Sequence, residues 1–209
     1  MFSWTAFEKV PIVGIIRNLS TNDFEKLFPL YIETGFTTIE VTMNTNGATG
    51  MIKKAKTNFG EAIHVGAGTV CNLQDLQDAL EAGADFIVTP IVVKEVIEKC
   101  VAMGVPIFPG AFTPTEIYTA WSLGASMVKV FPASHLGPEF IKAIKAPFPQ
   151  IKLMPTGGVG SDDLKTYKVA GADAYGIGSP LFPNQLIKSS NETEIFNHFK
   201  SFFEKWQQC

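Results

Sequence analysis

Residues 126–132 read SMVKVFP and residues 151–158 read IKLMPTGG. Both runs are short and apolar, bounded by glycine or proline, which is typical of buried strands. The longer stretch between them is amphipathic and predicts a helix. Together they predict one strand–helix–strand unit of a parallel α/β fold.

The same unit recurs along the whole chain. Successive strand runs are spaced by roughly 20 to 26 residues, the length of a strand, a turn, a helix and a second turn. Each run predicts a strand of roughly four to seven residues. The eight runs are PIVGIIR (11–17), TTIEVT (37–42), AIHVGAGT (62–69), DFIVTP (85–90), VPIFPG (105–110), SMVKVFP (126–132), IKLMPTGG (151–158) and DAYGIGS (173–179).

Eight such units without linkers predict a (β/α)8 TIM barrel, formed as a single domain over residues 1–209. An open doubly wound sheet is the alternative, but it is disfavoured because no GxGxxG motif follows the first run. A short extra helix is predicted up to Lys9, and an amphipathic last helix over residues 194–207.

Helix boundaries are marked by local signals. Thr113, Pro114 and Glu116 form a capping-box pattern, with proline at the first helical position. The sequence AGAD occurs at 82–85 and again at 170–173, each time at a helix-to-strand junction. Five helical stretches end at a glycine, as a left-handed C-terminal cap favours: Gly35, Gly83, Gly104, Gly124 and Gly171.

Composition and charge exclude several classes of function. With 17 basic and 20 acidic residues, the net charge is −3, and no basic patch indicates binding to nucleic acid or a membrane surface. Three cysteines with no CxxC motif predict free thiols in the cytoplasm. The three histidines are widely separated and lack HxxxH spacing, so no zinc site is expected. No cofactor is predicted.

Two charged residues interrupt apolar strand runs. In Met127-Val128-Lys129-Val130, the alternation of a strand turns Lys129 toward the inside of the barrel. Burial lowers the pKa of a lysine and makes its neutral, nucleophilic amine available. Glu40 is turned inward by the same alternation. The alternatives are a lysine reaching solvent and a buried ion pair with a purely structural role.

Other polar residues fall at strand ends, where (β/α)8 enzymes place their chemistry. Arg17 ends the first run and could bind an anion, although an exposed strand-end arginine is common. Thr69 ends the third run and could hold a carboxylate or simply shape the turn. The loops after the last two runs predict a phosphate site built from Gly157, Gly158, Gly178 and Ser179.

The segments EVTMNT, GAGTV, VTP, PGAFTPTE, VKVFPAS, GPEFIKAIKAPFP, MPTGGV and GIGS occur in this order. In this set the chain closely resembles the bacterial 2-keto-3-deoxy-6-phosphogluconate (KDPG) and 2-keto-4-hydroxyglutarate (KHG) aldolases. The resemblance runs from about Arg17 to Ser179. It implies a class I, metal-free aldolase on a (β/α)8 barrel, typically a homotrimer, that splits KDPG into pyruvate and glyceraldehyde 3-phosphate. Cleavage of 4-hydroxy-2-oxoglutarate to pyruvate and glyoxylate also falls within the family.

The resemblance implies a role for each matching residue. Lys129 matches the Schiff-base lysine, and Glu40 matches the general acid/base. Thr69 and Thr156 match hydroxyls around the pyruvyl carboxylate and the substrate chain. Pro90 and Phe131 match the pocket walls. The phosphate site is matched by Gly157, Gly158 and Ser179.

One position departs from many family members, which carry arginine where this chain has Asn44. Our hypothesis is that Arg17 supplies the missing cationic contact. Phosphogalactonate-cleaving relatives share this arrangement, so the stereochemistry of the substrate stays open. Two other functions remain as alternatives: a phosphosugar isomerase or epimerase with Glu40 as base, and a sugar-phosphate binding protein without catalysis.

Overall fold

The computed structural model describes residues 2–209, and Met1 lies outside them. The chain folds into a TIM-barrel-like α/β structure in which every strand pair is parallel. The helices are α1 Trp4–Lys9, α2 Thr21–Glu33, α3 Ala48–Phe59, α4 Leu73–Glu81, α5 Lys94–Ala102, α6 Pro114–Ser122, α7 Gly137–Lys145, α8 Leu164–Val169, α9 Asn184–Ser189 and α10 Glu192–Gln207. The strands are β1 Ile12–Ile16, β2 Thr38–Thr42, β3 His64–Gly68, β4 Ile87–Val88, β5 Ile107–Phe108, β6 Gly110–Ala111, β7 Val128–Val130, β8 Leu153–Pro155 and β9 Tyr175–Ile177.

The strands form two parallel sheets. One contains six strands in the order β5-β4-β3-β2-β1-β9, and the other has the order β6-β7-β8. All eight strand runs were located correctly, but most strands are shorter than predicted. The fifth run divides into β5 and β6 because Pro109 lies between them and has no N–H group to donate to a neighbouring strand.

The predicted helix boundaries agree closely with the structure. The Thr113 side chain accepts from the Glu116 N–H and the Glu116 carboxylate accepts from the Thr113 N–H, which completes the capping box. The five helix-ending glycines all have positive φ angles between 68° and 102°. The last helix begins at Glu192, two residues before the prediction, with Asn191 as its N-cap.

The two AGAD corners are built in the same way. The carboxylate of Asp85 accepts a hydrogen bond from a backbone N–H of β3 at 3.0 Å and forms an ion pair with Lys56 at 2.7 Å. The carboxylate of Asp173 makes the same contacts with β8 at 2.8 Å and with Lys145 at 2.7 Å. Each aspartate thereby ties a preceding strand and helix to the segment that leads into the next strand.

Apolar side chains pack on both faces of the strands. The larger set lies between strands and helices, whereas a smaller set, here called the inner cluster, lies on the opposite face. Helix α1 closes the inner cluster at the end where the strands begin, through Phe7, which is 1% exposed. The inner cluster comprises Phe7, Val13, Phe86, Val88, Phe108, Met127, Met154 and Ala174.

Replacing Phe7 by alanine should lower the free energy of unfolding by about 3–5 kcal/mol, because it opens a cavity among aromatic rings. The Phe7 ring lies 6.0 Å from that of Trp4 and 6.2 Å from that of Phe108. Urea denaturation followed by circular dichroism measures the loss. Phe7→Leu is the matched control and should cost much less, and equal midpoints for wild type and Phe7→Ala would contradict this role.

Candidate active site

Lys129 lies in the middle of β7 with its side chain on the inner face. Its neighbours Val128 and Val130 pack in the outer core, whereas Met127 belongs to the inner cluster. The residue is only 2% exposed, and its Nζ lies 4.9 Å from the centroid of the Phe131 ring. Nζ makes no hydrogen bond or ion pair with any described residue. The lysine is therefore buried, as predicted, rather than extended to solvent.

Glu40 occupies the inner face of β2. It is fully buried, and neither carboxylate oxygen has a hydrogen-bond partner among the described residues. The absence of a side chain at Gly68 makes room for it, because a Cβ there would overlap the carboxylate. The last glycine of β3 thus accommodates an acidic side chain on the neighbouring strand.

Burial dominates the electrostatics of both groups. Desolvation lowers the pKa of Lys129; the negative charge of Glu40 opposes this effect, and the positive charge of Arg17 reinforces it. Desolvation also raises the pKa of Glu40, against the influence of Lys129 and Arg17. Each group therefore affects the pKa of the other, but Lys129 and Glu40, both among the described residues, form no ion pair within 4.0 Å. The alternative of a closed structural ion pair is therefore excluded, and buried groups with shifted pKa values are typical of functional sites.

A cavity of about 500 Å³ opens at the ends of β1, β8 and β9. Its wall includes Phe131, which links it to the buried Lys129 Nζ. Seven residues predicted to bind substrate meet there: Arg17, Phe131, Thr156, Gly157, Gly158, Gly178 and Ser179. Lys129 and Glu40 do not line this cavity.

One side of the cavity is suited to an anion. Gly157 and Gly158 have φ angles of 88° and 78°, a left-handed conformation that favours glycine. The backbone N–H groups of these glycines and of Ser179 donate to no other described residue. With the Arg17 guanidinium, they supply donors and positive charge for a phosphate or carboxylate group.

Thr156 lies at the inner wall of the cavity. It is 3% exposed, and its hydroxyl donates to the Met154 carbonyl at 3.3 Å. The side chain fits because Gly176, its partner in an isolated bridge, has no Cβ to obstruct it. Thr156 therefore packs closely against β9 while it also lines the cavity.

Thr69 and Pro90 were predicted in the same site but do not line the cavity. Both residues are half-buried. They lie outside the cavity because they follow β3 and β4, whereas the cavity opens at the ends of β1, β8 and β9. Thr69 adopts φ 57°, and the Pro90 carbonyl lies against Gly110.

Several residues that line the cavity were not predicted from the sequence. Asn18 and Leu19 follow Arg17 directly, and Pro180 follows Ser179, so adjacency was the available signal. Phe182 and Ile187 lie beyond the eighth run, where no pattern identified them. The remaining additions are Ile15, Ile16 and Asn184.

Three further observations concern metal binding, membrane-spanning helices and disulfides. Within residues 2–209, no cluster of three His, Cys, Asp or Glu side chains could hold a metal ion. Over the same residues, no helix is both long and apolar enough to cross a bilayer. All three cysteines are free.

Comparison with known proteins gives one consistent family. The profile of the KDPG and KHG aldolases matches residues 5–198. The 2-dehydro-3-deoxy-6-phosphogalactonate aldolase of Escherichia coli K12 is 33% identical over 175 residues, covering 83% of this chain and 85% of the relative. The 2-dehydro-3-deoxy-phosphogluconate aldolase of Haemophilus influenzae is 32% identical over 188 residues, covering 90% and 88%.

A solved structure of the same family also has a similar fold. The KDPG aldolase of Legionella pneumophila superposes with a TM-score of 0.84 at 28% identity, covering 94% of this chain and 96% of that one. That structure is described as holding pyruvate captured as a covalent carbinolamine intermediate.

Glu40→Gln should lower the pKa of Lys129 further, because it removes the negative charge that stabilises the ammonium form. The acetylation rate of Lys129 with acetic anhydride, followed by mass spectrometry across pH, should therefore rise at lower pH than in the wild type. Acetylation of the exposed Lys53 in the same digest controls for the reagent. An unchanged profile would show that the two groups are not coupled.

Proposed function

Because this chain belongs to the KDPG and KHG aldolase family, we propose that it uses Lys129 to cleave a 2-keto-3-deoxy-6-phospho sugar acid. The products are pyruvate and glyceraldehyde 3-phosphate, and 4-hydroxy-2-oxoglutarate is a further candidate substrate. The observation that carries the proposal is the pair of buried, unpartnered groups, Lys129 and Glu40, beside an anion-binding cavity. An amine with a lowered pKa and a carboxylate with a raised one suit nucleophilic and acid–base roles respectively.

The reaction starts at the amine of Lys129, which attacks the C2 ketone of the substrate. Loss of water gives a protonated imine, and this cation accepts the electron pair released when the C3–C4 bond breaks. Glu40, through a water molecule, takes the proton of the C4 hydroxyl as glyceraldehyde 3-phosphate forms. The resulting enamine takes up a proton at C3, and hydrolysis of the imine releases pyruvate and restores the amine.

The cavity supplies orientation for these steps. The N–H groups around Gly157, Gly158 and Ser179 hold the phosphate, with Gly178 forming the same wall. Thr156 approaches the substrate chain, and Thr69, although it does not line this cavity, is the residue that we propose for the pyruvyl carboxylate. Phe131 forms a wall of the cavity, and we propose Pro90, which does not line it, as a wall around the pyruvyl end of the substrate. Fixing the phosphate places C2 beside the amine, which replaces a search in solution by a preorganised contact.

Two further features complete the proposal. The two sheets belong to one (β/α)8 ring spanning a single domain over residues 1–209. This is supported by the continuity of β5 and β6 around Pro109 and by the Thr156–Gly176 bridge between β8 and β9. We also expect a cytoplasmic homotrimer acting on small molecules, and exposed apolar side chains after three adjacent runs offer contact surface: Leu73, Ile91 and Phe112.

Borohydride reduction in the presence of pyruvate tests the covalent step. The wild type should gain the mass of a reduced pyruvyl adduct at Lys129, because only an imine is trapped in this way. Lys129→Ala should gain none, whereas the Glu40→Gln variant should still form the adduct and lose retro-aldol turnover. A wild type that interconverts sugar phosphates without an adduct would support the isomerase or epimerase. Binding without adduct or turnover would support the non-catalytic alternative.

The configuration at C4 separates two candidate substrates. The family resemblance indicates the gluconate form as the main substrate, but two observations favour the galactonate epimer. Arg17 lines the cavity whereas Asn44 does not, and the arrangement matches the one expected of phosphogalactonate-cleaving relatives. A relative with 33% identity carries that name.

We expect a higher kcat/KM on the galactonate epimer in a coupled pyruvate assay. Arg17→Ala should raise KM by about 10- to 100-fold, since it removes a charge-assisted hydrogen bond to the substrate anion. Lys53→Ala removes an exposed cation on α3 and is the matched control. An unchanged KM would contradict the assignment of Arg17, and a preference for the gluconate epimer would reverse the choice of substrate.

A further inference from the structure

The segment that follows β1 brings Arg17 into the cavity without any side-chain anchor. The Arg17 side chain is exposed and makes no hydrogen bond or ion pair with a described residue. Its place in the cavity wall therefore depends on how the backbone of residues 17–19 is held, since all three residues line the cavity.

Asn18 fixes the direction of this backbone. Its φ angle is 55°, in the left-handed region, which asparagine tolerates better than most residues. In this conformation its N–H donates to the hydroxyl of Thr45 at 3.0 Å. Thr45 is only 3% exposed, so the acceptor lies in the protein interior.

Thr45 is itself tied to the strand that carries Glu40. Its Oγ1 lies 3.0 Å from the Oγ1 of Thr42, the fully buried last residue of β2, and its N–H donates to the Thr42 carbonyl at 2.8 Å. Thr42 faces the same side of β2 as Glu40, two residues earlier. A chain of hydroxyl contacts thus connects the Arg17 segment to the strand bearing the buried carboxylate.

We propose that Thr45 is a positioning residue that holds Arg17 in register with the buried pair for binding of the substrate anion. This inference rests on the proposed function, because it requires that Arg17 contact the substrate. Thr45 itself does not line the cavity and acts through the backbone of Asn18.

Loss of the Thr45 hydroxyl has a definite consequence for binding. A valine in its place fills nearly the same volume but leaves the Asn18 N–H without its acceptor. The segment then samples more conformations, and ordering it on substrate binding costs free energy. KM should rise while kcat changes little, because Lys129 and Glu40 keep their surroundings.

The test is a double-mutant cycle between Thr45→Val and Arg17→Ala, with kcat and KM measured on the phosphorylated substrate. Thr45→Val alone should lower kcat/KM by about tenfold. In the Arg17→Ala background it should change kcat/KM less than about twofold. Thr45→Ser keeps the hydroxyl and should behave like the wild type.

Thr34→Val is the matched control. The Thr34 hydroxyl donates to the Tyr31 carbonyl at 2.9 Å at the end of α2, away from the cavity. Its loss should affect stability but leave KM unchanged. If Thr45→Val does not fold, Thr45→Ala takes its place. In the wild type, the Asn18 amide should also exchange slowly with deuterium.

The outcomes distinguish a failure of the Thr45 positioning role from a failure of the aldolase function. Independent, multiplicative effects of Thr45→Val and Arg17→Ala on kcat/KM would overturn the positioning role and leave the aldolase function intact. A loss confined to kcat, or fast exchange of the Asn18 amide, would overturn it as well. A wild type that cleaves neither epimer would overturn the proposed function and this inference with it.

Discussion

The site depends on burying an amine and a carboxyl group without letting them close into an ion pair. Removing a lysine and a glutamate from water is costly, and neither Lys129 nor the Glu40 carboxylate recovers that cost through a hydrogen bond to another described residue. The cost must be offset by the apolar packing on both faces of the strands. The burial keeps the pKa of the Lys129 amine lowered and the pKa of the Glu40 carboxyl group raised.

Small residues and rigid strands make this arrangement possible. Gly68 leaves the space that the Glu40 carboxylate fills, and Gly176 does the same for Thr156. Helix α1 closes the inner face at the opposite end through Phe7. The buried groups are consequently approached from the side where Arg17, the glycine N–H groups and the cavity lie. A polar site resting on a closed apolar base is typical of folds that place chemistry at the carboxyl ends of parallel strands.

The buried pair and the cavity are carried by different parts of the fold. Lys129 and Glu40 lie on strands, whose pairing holds them in register, whereas the contacts expected to select the substrate lie on the loops that follow β1, β8 and β9. Relatives named for the gluconate and galactonate substrates share the fold and about one third of their residues with this chain. Under the proposed function, changes in the loops would alter the preferred epimer without disturbing the covalent chemistry.

The sequence by itself determined the positions of the eight strand runs, the helix ends and the inward direction of Lys129 and Glu40. These features follow from local rules: a period of two in strands, capping side chains and left-handed glycines. It also identified seven of the residues that line the cavity. Only the tertiary structure decided that the fifth run breaks at Pro109, that Thr69 and Pro90 lie apart from the main cavity, and that Glu40 and Lys129 form no ion pair. These outcomes depend on distances between side chains brought together from separate strands, which no local pattern contains.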